Sequence, residues 1–418
     1  MFAAFTFSFA QQPTFTDKED SNEDSSSAWS IRLNNSLSAL AQEADANYYN
    51  TGLCVWDLTD DSLLFAYNQQ KVMRPASTQK LITAISALSL LGAEHEYRTR
   101  AFYTGDISAD SILRGDIYVL GDFDPSYSYQ DIRELAQAIR DLNIRGIEGS
   151  LYADTSMKDS LLYGWGWCWD DVPCENMPYL SPLMLERGML HPHFDSYSTD
   201  PTFHPSVEFL HTLADELSDI HADTLHCALR TINTRTSPQL IYIKTRTIAD
   251  LLPHMMKSSD NLYAESMFYH IAHINKGRWA NYEDAARLIE NVLHKAGAQP
   301  QYTDIADGSG VSLYNYISPQ SELALLRYAY LQPHIFDVLY PTLPIAGVDG
   351  TLRSRMTSGP AHRNVHAKTG TVSGVSCLSG YVTASNGHLL AFSIMNNGLI
   401  KVATGRNFQD RVCQVLAQ

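Results

Sequence analysis

The stretch RPASTQKLITAISALSLLG, residues 74–92, places a serine three positions before a lysine at the start of an apolar run. This pattern predicts a helix in which Ser77 and Lys80 lie about one turn apart on the same face. Burial of a charged lysine costs free energy, so an ammonium group in an apolar helix requires a structural or functional explanation. Either Lys80 is a surface residue that follows a serine, or it is a base beside a nucleophile.

The composition limits the classes of function. A chain of 418 residues predicts two domains, and 44 % hydrophobic with 18 % charged residues is typical of a globular protein. The formal net charge is −16, from 46 acidic and 30 basic residues, which argues against a nucleic-acid partner. No apolar run is long enough for a transmembrane segment. These features carry no prediction of oligomeric state.

The first 27 residues predict export. Residues 1–10, MFAAFTFSFA, are apolar and end in a Ser-Phe-Ala step that a signal peptidase accepts, but they are few and lack a basic region. A polar, acidic segment follows and predicts a flexible lead-in. We therefore expect residues 1–27 to be a weak or truncated signal peptide with its lead-in, and the protein to be periplasmic or otherwise exported. A frayed terminus is the alternative, and pairing of Cys168 with Cys174 stays open.

The order of predicted elements indicates an α/β domain that is interrupted by an insertion. The character changes from about residue 94 to 235, where short alternating segments predict strands. We expect a discontinuous domain of residues 28–93 and 238–418, with an inserted accessory part at 94–237. The elements predicted for the discontinuous domain are a helix over 30–45, two strands within 51–68, a helix from Ser77 to Gly92, two helical pieces within 247–274, three strands within 366–397 and a final helix over 404–416.

A second lysine ends a predicted strand, in the sequence Lys368-Thr369-Gly370, and Thr371 follows it. The glycine lets a ligand approach the strand edge closely, because it has no side chain. An extended peptide can pair with that edge while the lysine and the threonines hold a terminal carboxylate. A positive charge on Lys368 would also lower the pKa of Lys80 and so favour its neutral form.

The tripeptide Ser259-Asp260-Asn261 interrupts otherwise helical sequence. Alone, this tripeptide indicates a polar helix cap or a break in a helix. In combination with the other two motifs, Ser259 is suited to relay a proton to a leaving amine. Asn261 is suited to hold a substrate amide and to contact Lys80. The three motifs, in this order, form the set found in class A β-lactamases and penicillin-binding proteins.

From about residue 30 onward the whole chain resembles the class C low-molecular-mass penicillin-binding proteins, the D-alanyl-D-alanine carboxypeptidases and endopeptidases of peptidoglycan. The spacing between Ser77 and Ser259 leaves room for the insertion of this class, which class A β-lactamases lack. The resemblance implies a β-lactamase-like, penicillin-recognising transpeptidase fold, an antiparallel sheet flanked by helices. The segments that carry it are KSSDNLYAE, DGSGVSLYNYISP at 307–319, LPIAGVDGTLRSRM at 343–356 and AKTGTVSGVSCLSGY.

The resemblance implies a catalytic role for five residues. Ser77 is the acylated nucleophile and Lys80 is its base. Ser259 relays the proton, and Asn261 orients the substrate amide and Lys80. Lys368 supplies positive charge. The reaction is cleavage of a D-Ala-D-Ala amide through an acyl-enzyme, with no cofactor and no metal, and β-lactams are covalent ligands that acylate the same serine.

The resemblance is less complete where the substrate is recognised. Thr369 and Thr371 match the family residues that bind the terminal carboxylate, next to Gly370. Some members bind a diaminopimelate carboxylate with an arginine and a glutamine, whose positions here hold Leu313 and Ser373. Asp124 stays available for the diaminopimelate amino group, although an aspartate before a proline is also a common turn residue.

Two other functions stay open beside the leading one. A β-lactamase or esterase could use the same scaffold and the same serine. A catalytically idle protein that binds peptidoglycan fragments is the alternative outside the enzymes. The leading prediction is a serine carboxypeptidase/endopeptidase that acts on peptidoglycan peptides and is inhibited by penicillin.

Overall fold

The computed structural model describes residues 20–45, 49–168, 171, 174, 177–189, 197–198, 200, 202–220 and 225–418. The segment at 1–19, part of the predicted signal remnant, lies outside these residues. Among the described helices, none combines the length and the apolar composition that crossing a membrane requires.

The helices have the following bounds. They are α1 (Asp20–Asp45), α2 (Gln79–Leu90), α3 (Tyr129–Arg140), α4 (Pro205–Glu216), α5 (Ile248–Ser258), α6 (Asn261–Lys276), α7 (Tyr282–Lys295), α8 (Pro319–Tyr330), α9 (Pro333–Leu339) and α10 (Val402–Leu416).

The strands belong to two five-stranded sheets and two small ones. They are β1 (Asn50–Asp57), β2 (Ser62–Tyr67), β3 (Glu96–Tyr103), β4 (Asp106–Ile107), β5 (Ile112–Arg114), β6 (Ile117–Leu120), β7 (Gly146–Ile147), β8 (Ser150–Asp154), β9 (His226–Leu229), β10 (Gln239–Thr247), β11 (Thr303–Asp304), β12 (Tyr316–Ile317), β13 (His366–Val372), β14 (Val375–Thr383) and β15 (Leu389–Asn397).

The first sheet has the strand order β13-β14-β15-β1-β2, and all of its pairs are antiparallel. Its central strands alternate side chains between two buried faces. In β14, Leu378 packs on the side of α1 and α10, whereas Tyr381 packs on the opposite side and donates to the Leu326 carbonyl of α8 at 3.0 Å. The sheet therefore lies between two helical layers, as the predicted fold class requires.

Helix α2 is the centre of the larger helical layer. Every residue from Gln79 to Leu88 is buried, so this helix has no solvent-facing side. It packs against α6, α7, α8 and α9. A lysine in its first turn is consequently placed inside the protein, and the surface interpretation of Lys80 is excluded.

The second sheet has the order β10-β3-β6-β8-β9 and is mixed, since the β6–β8 and β8–β9 pairs are parallel. Helices α3 and α4 pack with it around a separate apolar cluster. Strand β10 follows the inserted residues and closes this sheet by pairing with β3. The separate cluster supports the division that we propose, residues 28–93 and 238–418 on one side and an inserted part at 94–237 on the other, except at one boundary. Strand β10 (Gln239–Thr247) pairs with β3, and Ile241 and Tyr242 pack against the cluster, so β10 belongs to the sheet of the inserted part.

Several sequence predictions are confirmed. The structure has two strands around the Thr-Asp-Asp-Ser turn, a helix after Ser77, a break between α5 and α6, and three strands near the end. Two features differ. Helix α1 begins at Asp20, ten residues before the predicted start, and its buried Leu33, Leu37 and Ala41 follow helical spacing. The inserted part also contains helices, because a capping box of Ser128 and Asp131 starts α3.

We expect Leu378→Ala to destabilise the first sheet strongly. Leu378 is fully buried in β14, between β13 and β15, and truncating such a side chain leaves a cavity that costs about 2–5 kcal/mol. Urea denaturation followed by tryptophan fluorescence should show a clearly lower midpoint. Leu63→Ala is the matched control, since Leu63 lies in the edge strand β2 and is 52 % exposed. An equal shift in both variants would contradict this packing.

Candidate active site

The serine of the first motif lies in a tight turn. Residues Ala76–Thr78 form one turn of 3₁₀ helix that leads into α2, and Ala76 has a φ of 48°, in the left-handed region. This turn directs the Ser77 hydroxyl toward Lys80, whose Nζ donates to Ser77 Oγ at 3.0 Å. A non-glycine residue at positive φ costs energy and is common beside functional groups.

Lys80 is fully buried and donates three hydrogen bonds. Besides Ser77 Oγ, its Nζ bonds Asn261 Oδ1 at 2.7 Å and the Ser309 carbonyl at 2.7 Å. An ammonium group has three protons to donate, and here each has an acceptor. The lysine is therefore held in one position with its nitrogen against the serine hydroxyl.

The carbonyl of Ser309 comes from the Asp-Gly-Ser-Gly segment, which two buried carboxylates hold in place. Asp307 accepts from the backbone N–H of Gly310 at 2.7 Å, and Glu265 accepts from the N–H of Ser309 at 2.8 Å. At Gly310, where φ is 86°, a Cβ would lie 1.9 Å from the Ala76 carbonyl oxygen. Only glycine permits this close approach of the segment to the serine turn.

The second motif is the junction between two helices. Ser259 ends α5 in the left-handed conformation, with φ 60° and ψ 37°, and Asn261 is the first residue of α6. Ser259 Oγ accepts from Lys368 Nζ at 2.7 Å, while Asn261 bonds Lys80. The junction therefore places the Ser259 side chain beside Lys368 and the Asn261 side chain beside Lys80.

The third motif lies in β13, an edge strand of the first sheet. Residues 344–346 bond the beginning of this edge, but no strand of the described chain pairs with it from Lys368 onward. At Gly370 a Cβ would lie 2.5 Å from the Pro75 carbonyl oxygen and 3.1 Å from the Ser77 nitrogen. The glycine thus brings the strand against the serine turn, and Thr371 next to it is exposed. The Thr369 hydroxyl contacts Thr351 Oγ1 at 2.7 Å.

Burial controls the charge of both lysines. It lowers the pKa of Lys80 to about 8, against the opposing effect of the Asp307, Glu265 and Asp260 carboxylates. Burial also lowers the pKa of Lys368 well below its usual range, and the nearby Lys80 adds to this effect. Two ammonium groups this deeply buried disfavour each other, so the pair releases a proton far more readily than free lysines do.

Asp124 occupies a different position from the other predicted residues. It is buried and accepts from the N–H and the hydroxyl of Ser126, at 2.8 and 2.6 Å. Its Oδ2 accepts no hydrogen bond from any residue that the structure describes, and burial raises the pKa of its carboxyl group. It does not contact the catalytic groups, but Pro125 and Ser126 line a cavity of about 380 Å³ together with Ser259 and Asn261.

Three groups that complete the site are not predictable as site residues from the three motifs alone. The Ser309 carbonyl, Glu265 and Asp307 lie within a short distance of Lys80, yet only the surrounding segments were identified as family signatures. The spacing of Asp307 before two glycines is the signal for a carboxylate that holds a tight loop. Glu265 gives a weaker signal, because a glutamate four residues after Asn261 is ordinary in a helix.

The chain matches a family model. The model described as D-Ala-D-Ala carboxypeptidase 3 (S13) family matches residues 33–207 and 201–418, which together cover most of the chain and include all three motifs.

Two curated relatives match over most of their length. The D-alanyl-D-alanine carboxypeptidase DacB of Haemophilus influenzae is 26 % identical over 412 residues, which cover 84 % of this chain and 85 % of the relative. The D-alanyl-D-alanine carboxypeptidase of Actinomadura sp. strain R39 is 27 % identical over 457 residues, which cover 90 % of this chain and 82 % of the relative.

A solved structure supports the fold. The crystal structure of penicillin-binding protein 4 from Haemophilus influenzae superposes with a TM-score of 0.79 at 24 % identity, covering 90 % of this chain and 97 % of that one. The same protein in complex with a β-lactam superposes with a TM-score of 0.72. The similarity confirms the predicted penicillin-recognising fold.

We expect the acylation of Ser77 by benzylpenicillin to become faster as the pH rises through about 8. Lys80 accepts a proton only in its neutral form, so the rate should grow about tenfold per pH unit below this pKa and level off above it. Stopped-flow measurement of the acylation rate against pH checks this. Lys80→Arg should abolish the rise, because arginine keeps its proton. A rate that falls over the same range would contradict the role of Lys80.

Proposed function

The chain belongs to the D-Ala-D-Ala carboxypeptidase 3 (S13) family of serine peptidases, and we propose that it cleaves peptidoglycan peptides through an acyl-enzyme on Ser77. As a D-alanyl-D-alanine carboxypeptidase it removes a terminal D-alanine. The observation that carries the mechanism is the position of Lys80 Nζ, 3.0 Å from Ser77 Oγ and fixed by two further acceptors. A nucleophile and its base within hydrogen-bond reach are the core of covalent acyl transfer.

The first step forms the acyl-enzyme. Neutral Lys80 takes the proton of Ser77, and Oγ attacks the carbonyl carbon of the D-Ala-D-Ala amide. Charge develops on the carbonyl oxygen, where the backbone N–H groups of Ser77 and Thr371 stabilise it. The approach of Gly370 to the Ser77 nitrogen supports this pairing of donors, since Thr371 follows directly in the strand.

The second step releases the leaving group. Ser259, hydrogen bonded to Lys368, passes its hydroxyl proton to the amine nitrogen as the C–N bond breaks, and D-alanine departs. The proton that Lys80 took from Ser77 replaces the one that Ser259 gave, so Lys80 is neutral again before hydrolysis. Water then hydrolyses the ester on Ser77 and restores the hydroxyl. Attack by the same serine on an amide within a peptide cross-link is endopeptidase chemistry, which we propose as a second activity of the site.

The open edge of β13 is the proposed docking surface for the peptide. An extended ligand gains backbone hydrogen bonds along such an edge. The Thr369 and Thr371 hydroxyls and the Lys368 amino group provide donors for the terminal carboxylate, and a bound carboxylate favours the protonated form of Lys368. Asn261, at the opposite side of the cleft, holds the amide of the substrate and Lys80. β-Lactams present the same carboxylate and carbonyl, so they acylate Ser77.

We propose that a cation beside the serine turn contributes to recognition of the substrate side chain. Arg74 and Lys71 line a cavity of about 330 Å³ that also contains Ser373 and no carboxylate. The Arg74 guanidinium lies 5.9 Å from the centre of the Tyr316 ring. We propose that Arg74 binds a side-chain carboxylate that Leu313 cannot bind. Asp124, whose Oδ2 is buried and accepts no hydrogen bond from a described residue, is the proposed partner of a side-chain amino group once the ligand displaces the groups that cover it.

The substrate also indicates where the enzyme acts. Peptidoglycan lies outside the cytoplasmic membrane, and we propose that the protein is exported to the periplasm or an equivalent compartment. The predicted signal remnant supports export from the sequence alone.

We expect fluorescent penicillin to label the protein covalently and the label to be absent in Ser77→Ala. The acyl bond forms on Ser77 Oγ, so removing that oxygen removes the reaction. Labelling is measured by gel fluorescence and by the mass of the adduct. Ser89→Ala is the control on the same helix, since the Ser89 hydroxyl contacts Tyr328 instead of the site. A folded wild-type protein that never labels would falsify the proposed mechanism, and rapid release of hydrolysed β-lactam would favour the β-lactamase alternative.

We expect Arg74→Gln to lower kcat/KM about tenfold or more for a peptide with a carboxylate on the residue before D-Ala-D-Ala. The loss of a charge-assisted hydrogen bond should leave a neutral amide analogue of that peptide changed less than about twofold. Release of D-alanine measures both substrates. Arg32→Gln, an exposed arginine of α1, is the matched control. Equal loss for both peptides would show that Arg74 has a structural role only.

A further inference from the structure

An arginine of the inserted part reaches the second catalytic motif. Arg187 lies in the turn Glu186–Gly188, where its own φ is 64°. Its Nη1 contacts Asp260 Oδ2 at 2.5 Å, and the two side chains are only 19 % and 9 % exposed. His254 of α5 bonds the same oxygen through Nε2 at 3.0 Å. An ion pair this well shielded from water is stronger than a surface pair.

Asp260 uses its two oxygens for two different tasks. Oδ1 is the N-cap of α6 and accepts from the N–H groups of Leu262 and Tyr263, at 3.0 and 3.4 Å. Oδ2 bonds Arg187 and His254. The carboxylate therefore connects the start of α6 to the inserted part and to α5 at the same time.

The neighbours of Asp260 in the chain are the catalytic groups. Ser259 on one side contacts Lys368, and Asn261 on the other side contacts Lys80. Because Ser259 is a non-glycine residue at positive φ, this backbone holds its conformation only while its surroundings impose it. A rotation of Asp260 would move both catalytic side chains together.

The turn that carries Arg187 is itself anchored. Glu186 Oε1 accepts from the N–H of Tyr129 at the start of α3, at 2.8 Å, and the Glu186 N–H donates to the Tyr127 carbonyl at 3.1 Å. The arginine thus extends from a fixed position and not from a loose loop. It lines the 380 Å³ cavity that Ser259 and Asn261 also line.

We propose that Arg187 is a positioning residue, which holds Ser259 and Asn261 in their catalytic geometry through its ion pair with Asp260. The inference rests on the proposed acyl-enzyme mechanism and adds a role for the inserted part in that reaction. Arg187 contacts no reacting atom in this arrangement. It acts through Asp260, and His254 supports the same carboxylate from the opposite side.

The first test is Arg187→Met, which keeps most of the side-chain volume and removes the charge. The first-order acylation constant for benzylpenicillin should fall roughly 10- to 100-fold, because small displacements of catalytic groups cost this much. The constant for the preceding non-covalent binding step should change less than about twofold. Arg187→Lys should recover part of the rate, since it keeps the charge without the planar fork.

A matched control separates positioning from general stability. Arg327→Met removes another arginine–aspartate pair, in which Arg327 bonds both oxygens of Asp61 at 2.6 Å and lies over the Trp56 ring, all three residues being outside the motifs. We expect its acylation rate to stay within about twofold of wild type. Melting temperatures of both variants report any loss of stability. A rate in Arg187→Met equal to wild type overturns the proposal.

The second test is a double-mutant cycle with Asp260→Asn. Asparagine keeps an acceptor for the helix cap but loses the charge that Arg187 binds. If the pair acts as a unit, the double variant should acylate no more slowly than Asp260→Asn alone. Additive losses overturn the proposal. Should Arg187→Met fail to fold, Arg187→Lys replaces it in the same cycle.

The outcomes also distinguish this inference from the function on which it rests. If the wild-type protein acylates and Arg187→Met acylates equally fast, only the positioning role fails. If the folded wild-type protein does not acylate at all, the proposed mechanism fails first.

Discussion

The buried amino group of Lys80 is the constraint on which the site depends. The nitrogen of Lys80 lies in the interior, where a charge without acceptors would cost several kcal/mol. Its three acceptors come from the serine turn, from the start of α6 and from the Asp-Gly-Ser-Gly segment. All three segments must therefore be folded before Lys80 Nζ can form its three hydrogen bonds. The requirement connects parts of the chain that are far apart in sequence. Burial itself lowers the pKa of Lys80 to about 8, which favours the neutral form that the proposed base needs.

Two glycines allow neighbouring backbone segments to approach the serine turn closely. Gly310 lies against the Ala76 carbonyl and Gly370 lies against the Pro75 carbonyl, so that the serine turn is enclosed from two sides. Any side chain at either position would push the segments apart. The proposed chemistry needs short distances between Ser77, Lys80 and β13, and both glycines permit these distances. This explains why the glycine of the third motif is more informative than the lysine and threonine before it.

The sequence predicted the motifs well because each combines a local pattern with a chemical requirement. The serine and the lysine of the first motif follow helical spacing, and the polar tripeptide Ser259-Asp260-Asn261 marks the break between α5 and α6. Contacts between distant segments were not predictable in the same way. Nothing in the sequence around Arg187 indicates that it meets Asp260, because that contact depends on how the inserted part packs against α5 and α6. The same holds for the carbonyl of Ser309, since every residue has one.

The order of strands in the first sheet has a consequence for synthesis. Strand β1 pairs with β15, which is made more than three hundred residues later, so its inner edge stays without a partner until the ribosome has almost finished the chain. The serine and its base are also translated long before the strand that carries the third motif. Pairing over such a separation is slow and exposes unpaired strands in the meantime. A chain that ends before β13 lacks Lys368 and the proposed peptide-docking edge, so the proposed cleavage of an amide requires a nearly complete chain.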